Sequence, residues 1–404
     1  MYDANQLSVY EQMERQDVTL EQRTAYMTLT SVLVIPGVKG FQLVDQASGN
    51  ILWKLDQQTH DRLDELVLEW DCELNHCHSA GASAVVPGEL ESGIYGFLRD
   101  RLYPDGADSD HDIDYFRYDW RLPSLYNRHL LAAELNRRPP GSTVLIAHSL
   151  GTLLTCALLA MEDAPVESLA GIVFVSPPFT GVPSALEAML TGDTDIPDEF
   201  REDYRQVAFS FPSLFELLPV YPNAMHCDGK SLSLLDTQVE AQSETTAVVH
   251  NNLDYLRQFR KIVNSESSLL YRQLTFLSSR CLVVSSSGVD TPDQIELTCC
   301  HEGSGNCFPF QTLTSSGHSL RLTKRGDGRV PLCSFSWLSE LFPTVIIGSD
   351  QAPLNHNQIM RDHRFLNTIR QFVDSLPDAP TTTGWWNSPG ENVRHFLPGT
   401  MNME

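Results

Sequence analysis

Residues able to carry nucleophilic acyl chemistry stand out first. Ser149 lies in Val144-Leu145-Ile146-Ala147-His148-Ser149-Leu150-Gly151-Thr152-Leu153-Leu154, where four apolar residues run into a turn with small residues and an apolar helical segment follows. The pattern predicts a strand, a tight turn and a helix, with the serine hydroxyl held out at the top of a sheet and the small residues two before and two after it allowing close approach of strand and helix. Ala147 stands where such turns usually carry glycine. A serine hydroxyl is a weak nucleophile at neutral pH and needs a base within hydrogen-bond reach, itself oriented by a carboxylate. Ser149, Asp327 and His356 occur in the order nucleophile, acid, base, each placed just beyond a predicted strand. Asp290 is a rival acid, because it directly follows the strand predicted at Cys281 to Ser285. His363 is a rival base, but it falls inside a helical pattern.

The elements that must position these groups follow from the apolar pattern. Tyr26 to Pro36 (YMTLTSVLVIP) reads as a buried strand ending in Pro36-Gly37-Val38-Lys39-Gly40, a loop whose backbone N–H groups can point at a ligand and from which one oxyanion donor should come. Gly171 to Val175, Cys281 to Ser285 and Pro343 to Gly348 read as further short strands, and Ile359 to Leu376 as a closing helix. Strands alternating with helices predict a mostly parallel central sheet, helices on both faces, and an active edge at the carboxyl ends of the strands; the order Ser, Asp, His at strand ends is that of the α/β-hydrolase arrangement. The expected organisation is one such domain over 1–404. A polar helical arm spans 1–24. Helical insertions spanning about 50–140 (helices at Arg62 to Trp70, Ile94 to Leu102 and Tyr126 to Arg137) and 183–275 form a cap, an antiparallel excursion covers about 293–324, and an extended tail covers 377–404.

Composition narrows the function classes. A chain of 404 residues with 42% hydrophobic and 20% charged content is ordinary globular protein. A net charge of −24 argues against a nucleic-acid partner and against electrostatic adsorption to anionic membranes. No N-terminal signal peptide and no run long enough to span a bilayer is visible, so a cytoplasmic protein, or one exported without such a signal, is expected. The nine cysteines read mainly as reduced, buried thiols, with a local disulfide open among Cys299, Cys300 and Cys307. Five aspartates between Pro104 and Asp114 are spaced like a calcium loop but lack its glycine, and Cys72, His76, Cys77 and His78 have no second ligand pair at finger spacing. A solvated acidic loop and no metal are the expectations.

The chain resembles the lecithin:cholesterol acyltransferase family, with its phospholipases and lipid acyltransferases. The segments that carry the resemblance, in matching order, are Val34 to Gly40 (VIPGVKG), Tyr118-Asp119-Trp120-Arg121-Leu122, Ala147-His148-Ser149-Leu150-Gly151, Phe211-Pro212-Ser213 with Leu217-Leu218-Pro219, Gly288 with Thr291-Pro292, and Gly326-Asp327-Gly328 with Val330-Pro331. They span residues 34 to about 370. The Tyr-Asp-Trp-Arg segment is the most specific, since general hydrolase chemistry does not ask for it. The resemblance implies Ser149 as nucleophile, Asp327 as acid, His356 as base, and the backbone N–H groups of Val38 and Leu150 as the oxyanion hole. It implies a phospholipid or other lipid-ester substrate, an acyl-enzyme, and no cofactor. Arg329 departs from the threonine common in that family. Two other readings are a hydrolase of soluble esters or thioesters, and a catalytically silent protein that binds lipid or a partner. The oligomeric state is not legible. Transient membrane contact through the cap, by aromatics somewhere in Phe200 to Tyr221, is the expected docking mode.

Overall fold

The computed structural model describes residues 31–376 apart from 56–61, 72–75, 80–84, 103–112, 194–195, 228, 237–243, 264–267 and 298–317. The arm 1–24, the tail 377–404, Cys72, Cys299, Cys300, Cys307 and all but Pro104's far neighbours Ile113 and Asp114 of the acidic loop lie outside the described residues.

Six strands form the central sheet: β1 (Ser31–Ile35), β2 (Ile113–Tyr115), β3 (Thr143–His148), β4 (Leu169–Val175), β5 (Cys281–Ser286) and β6 (Thr344–Ile347). Their spatial order is β6-β5-β4-β3-β1-β2, and every adjacent pair is parallel. All-parallel pairing requires both faces to be covered, which is why these strands are runs of Val, Leu and Ile. Alternate residues feed opposite cores. Leu33, Ile35, Leu145 and Ala147 join one apolar cluster, and Val32, Val34, Val144 and Ile146 join the other. The chain leaves β1 toward β2 on one side and then crosses to β3 on the other, so the connections that follow the carboxyl ends of β1 and β3 run in opposite directions. Such a switch point opens a crevice there.

Helices α1 (Ser124–Leu135) and α2 (Leu150–Leu159) belong to the first face, and α7 (His363–Ser375) to the second. Between β4 and β5 rise α3 (Pro183–Thr191), α4 (Asp198–Ala208), α5 (Glu244–Val263) and α6 (Leu269–Phe276). This layer has a core of its own, including Leu186, Phe209, Phe215, Leu218 and Leu256. Ile295 and Leu297 share that core, because Thr291–Leu297 pairs antiparallel with His318–Thr323 and parallel with Met225–Cys227.

Several expectations need correction. Arg62 to Trp70 is not a helix: a single 3-10 turn at Leu63–Leu66 gives way to a strand, Leu68–Asp71, paired antiparallel with His76–Ser79. The stretch taken as a helical insertion also supplies β2 to the central sheet. The closing helix starts at His363 rather than Ile359, because the Asp362 side chain accepts the Arg364 N–H at 2.8 Å and caps it there. The aromatics expected to face a membrane face inward: Tyr204, Phe209, Phe211 and Phe215 are buried, and Phe200 and Tyr221 are partly so. Cys156 and Cys281 are free, buried thiols, Cys333 is free but exposed, and Cys227 is disulfide-bonded. Among the described residues no helix is long and apolar enough to cross a membrane.

Candidate active site

Ser149 sits between the end of β3 and the start of α2 with φ 55° and ψ −123°. For a residue with a Cβ this backbone costs roughly 1–3 kcal/mol and persists only where the surroundings hold it. Two things hold it here. Its N–H donates to the Val175 carbonyl at 3.0 Å, and α2 packs so close beneath β1 that a Cβ on Gly151 would lie 2.3 Å from the Ile35 carbonyl oxygen. Gly151 is therefore obligatory, whereas the first small position is not. Ala147 is fully buried in β3, paired with Ile35 and Phe174, and its methyl joins the core.

Asp327 reaches the same edge by a detour. The excursion from Thr291 to Thr323 returns the chain to the end of β5, where Gly288 N–H donates to the Lys324 carbonyl at 2.9 Å and Val289 forms a bridge with Asp327. Asp327 is buried. One carboxylate oxygen, Oδ1, accepts the backbone N–H groups of Val330 at 2.7 Å and Arg329 at 3.0 Å. The other, Oδ2, lies 2.8 Å from His356 Nδ1. Burial pushes the Asp327 carboxyl up, but the His356 ring and its hydrogen bond, with the two amides, outweigh this and hold it below its ordinary range. Because the hold is through backbone amides, arginine at 329 leaves it intact. The Arg329 guanidinium instead points to Asp193, 3.4 Å away.

Ser149 and His356 line one pocket with Gly37, Val38, Lys39 and Arg329. Val182, Met189, Leu214 and Leu217 from the cap layer give it an apolar wall. The rivals are elsewhere. Asp290 is exposed and paired with Lys324 at 2.8 Å, and His363 is exposed at the start of α7.

The Pro36 to Gly40 loop passes directly over the serine: a Cβ on Gly37 would meet the Ser149 Cβ at 2.7 Å. The Gly37 N–H donates to the Tyr95 hydroxyl at 2.8 Å, while among the described residues the N–H groups of Val38 and Leu150 have no intramolecular acceptor. The Tyr-Asp-Trp-Arg segment holds this loop from beneath. The Tyr118 hydroxyl donates to the Pro36 carbonyl at 2.6 Å, and Trp120 Nε1 donates to the Phe41 carbonyl at 2.9 Å. Buried Arg121 braces the segment through two bonds to the Asp119 carboxylate, at 3.0 and 2.6 Å, and one to the Leu66 carbonyl at 2.7 Å. Next along the loop, buried Lys39 also has a left-handed backbone, with φ 63°. Its ammonium lies 2.6 Å from Asp193 and over the rings of Trp53 and Tyr204.

Sequence reasoning missed Tyr95, Lys39 and the purpose of Tyr118 and Trp120. A hydrophobic pattern does not carry these partnerships, since each joins residues far apart in the chain. Of the candidate calcium and zinc residues, Asp105, Asp108, Asp110, Asp112 and Cys72 lie outside the described residues, among which no group of three or more His, Cys, Asp or Glu could hold a metal ion. Asp114 lies in β2 and pairs with Arg138 at 2.9 Å.

A parallel sheet with a serine at the strand-to-helix elbow of its switch point defines an α/β-hydrolase. The model of the lecithin:cholesterol acyltransferase family matches residues 91–283, which include the Tyr-Asp-Trp-Arg, Ala-His-Ser-Leu-Gly and Phe-Pro-Ser segments. The fold is that of an α/β-hydrolase, and over residues 91–283 the chain is similar to the lecithin:cholesterol acyltransferase family. Among solved structures, the Tle4-Tli4 complex is similar at 12% identity over 86% of this chain and 99% of that one, with a TM-score of 0.57. An esterase, RhEst1 from Rhodococcus sp. ECU1013, matches at 14% identity over 87% of this chain and 92% of its own, with a TM-score of 0.32. A hydrolase from Oleispira antarctica matches at 10% identity over 85% and 91%, with a TM-score of 0.31. No curated protein matches the chain.

Proposed function

We propose that the protein is a lipid acyl hydrolase or O-acyltransferase working through a Ser149-Asp327-His356 triad and an acyl-enzyme. The observation that carries this reading is the strained Ser149 backbone in a pocket shared with His356, whose Nδ1 is held by the Asp327 carboxylate at 2.8 Å. Asp327 fixes the imidazole with its proton on Nδ1, leaving Nε2 to take the Ser149 proton as the hydroxyl attacks an ester carbonyl. The N–H groups of Val38 and Leu150 receive the oxyanion. His356 then returns the proton to the leaving alcohol, and water or a second alcohol takes the acyl group from Ser149 by the same steps reversed. The apolar wall from Val182 to Leu217 suits an acyl chain, which supports a lipid ester over a small polar one. Transient contact with a lipid surface on the pocket side belongs to this reading, made by residues other than the buried cap aromatics.

The test is purified protein on a defined phospholipid, with and without a sterol or glyceride acceptor, and products resolved as free fatty acid or new ester. Release of fatty acid, or its diversion into a new ester, is the expected result. No acyl cleavage of any lipid ester, with cleavage confined to short dispersed esters, would contradict the lipid assignment.

A further inference from the structure

His148, the last residue of β3, is buried one position before Ser149, and its ring lies between two parts of the site that come from distant stretches of chain. On one side, Nδ1 lies 2.7 Å from the Tyr95 hydroxyl, which itself accepts the Gly37 N–H at 2.8 Å. On the other, Nε2 lies 3.2 Å from the His356 carbonyl oxygen. The direction of this chain is fixed at both ends, because an amide N–H can only donate and a carbonyl can only accept. With one lone pair of its hydroxyl taken by Gly37, Tyr95 directs its single proton to Nδ1. The His148 proton is then on Nε2 and goes to His356. All three bonds are satisfied by one neutral tautomer.

Two further observations agree. Burial drives His148 down to about 3 and raises the Tyr95 phenol, so the imidazole stays neutral and the hydroxyl stays protonated. The His148 ring also lies against the His356 ring, with centroids 4.7 Å apart at 34°. A cation in that position would oppose the imidazolium that His356 becomes during acyl transfer. A neutral ring with a directed proton does not.

We infer that Tyr95 and His148 are positioning residues that tie the oxyanion loop to the backbone of the base through the one-way sequence Gly37, Tyr95, His148, His356. Gly37 adjoins Val38, so anchoring its N–H sets where the Val38 N–H points. Holding the His356 carbonyl constrains the residue whose ring lines the same pocket as Ser149. The inference rests on the acyl-transfer reading of the site, and the experiment separates the two.

In the wild-type protein with ¹⁵N-labelled histidine, His148 should show the neutral Nε2–H form throughout pH 5–9. An Nδ1–H form, or titration of His148 within that range, overturns the inference whatever the activity. Tyr95→Phe keeps the ring and removes the hydroxyl. Its acylation by a fluorophosphonate, counted per folded molecule, should be slower by about 10- to 100-fold, with kcat for ester hydrolysis lowered more than KM is raised, since small displacements of reacting groups cost this much. A lowered melting temperature with an unchanged acylation rate would assign Tyr95 a structural role only and overturn the inference. If Tyr95→Phe does not fold, the wild-type histidine spectrum decides. Failure of wild-type Ser149 to label would sink the acyl-transfer reading, whereas normal labelling of both proteins would sink only the positioning role.

Discussion

Gly37 and Ser149 are in such close apposition that a Cβ on the glycine would lie 2.7 Å from the Cβ of the serine. Real Cβ atoms do not approach that closely, so Gly37→Ala must move either the loop or the elbow. The substitution lies at the crevice rather than in the sheet core, and the fold should survive. Ester turnover should fall by about 10²-fold, the effect of displacing reacting groups by roughly 1 Å. Circular dichroism with a steady-state rate checks this, and near-wild-type turnover would mean that the loop takes no part in the reaction.

The excursion that brings Asp327 back to the end of β5 gives a direct comparison of acids and bases. Asp327→Asn should lower kcat by ~10⁴-fold through loss of the correct histidine tautomer. Asp290→Asn should do little, because Asp290 is exposed and paired with Lys324. His356→Ala should match the first and His363→Ala the second. A crippling Asp290→Asn would relocate the acid.

Tyr118→Phe removes one hydroxyl and leaves the Pro36 carbonyl without the donor that now lies at 2.6 Å. A buried group deprived of its partner costs about 1–3 kcal/mol. Urea unfolding should show a loss of that size, and kcat should fall because the loop beneath which Tyr118 lies is loosened. Loss of stability with unchanged kcat would make the Tyr-Asp-Trp-Arg segment a fold element alone.

Glu216 lies outside the active pocket and makes a pH prediction. It is fully buried, accepting the Ser124 N–H and hydroxyl, both at 2.6 Å, and the Tyr255 hydroxyl. Burial, opposed by those bonds, raises its carboxyl from 4.5 to about 7. Between those values the folded protein binds a proton that the unfolded chain has released, so the stability contributed by this group is fully present below about pH 4.5 and is lost as pH rises through 7. Glu216→Gln should remove that slope. Its stability relative to wild type should rise between pH 5 and 8 by at most about 3 kcal/mol. Parallel pH–stability curves for the two proteins would show that Glu216 is ionised throughout.

Five of the six sheet strands were legible because each is a short apolar run bounded by turn residues. β2 was not, since Ile113-Asp114-Tyr115 is only three residues long and reads as the end of an acidic stretch. Leu63 to Trp70 offered apolar residues at both helical and strand spacing, and pairing with His76–Ser79 decided for a strand over its second half. Ser149, Asp327 and His356 could be proposed from type, order and position at strand ends, and the structure brings Asp327 to His356 and His356 into one pocket with Ser149. Tyr95, Tyr118 and Trp120 could not be assigned work in this way: their partners, backbone groups and for Tyr95 also the His148 ring, are distant in sequence and visible only once the sheet is assembled. The direction in which the cap aromatics face was likewise set by the cap's separate core, which periodicity alone does not reveal.

The central claim is that Ser149 is the nucleophile, and covalent labelling tests it most directly. A fluorophosphonate carrying an alkyl chain should modify one residue, located by peptide mass spectrometry at Ser149, and Ser149→Ala should abolish both the label and lipid-ester cleavage while leaving the fold intact. Labelling that persists in Ser149→Ala, or lipid-ester cleavage by that variant at the wild-type rate, would contradict the account.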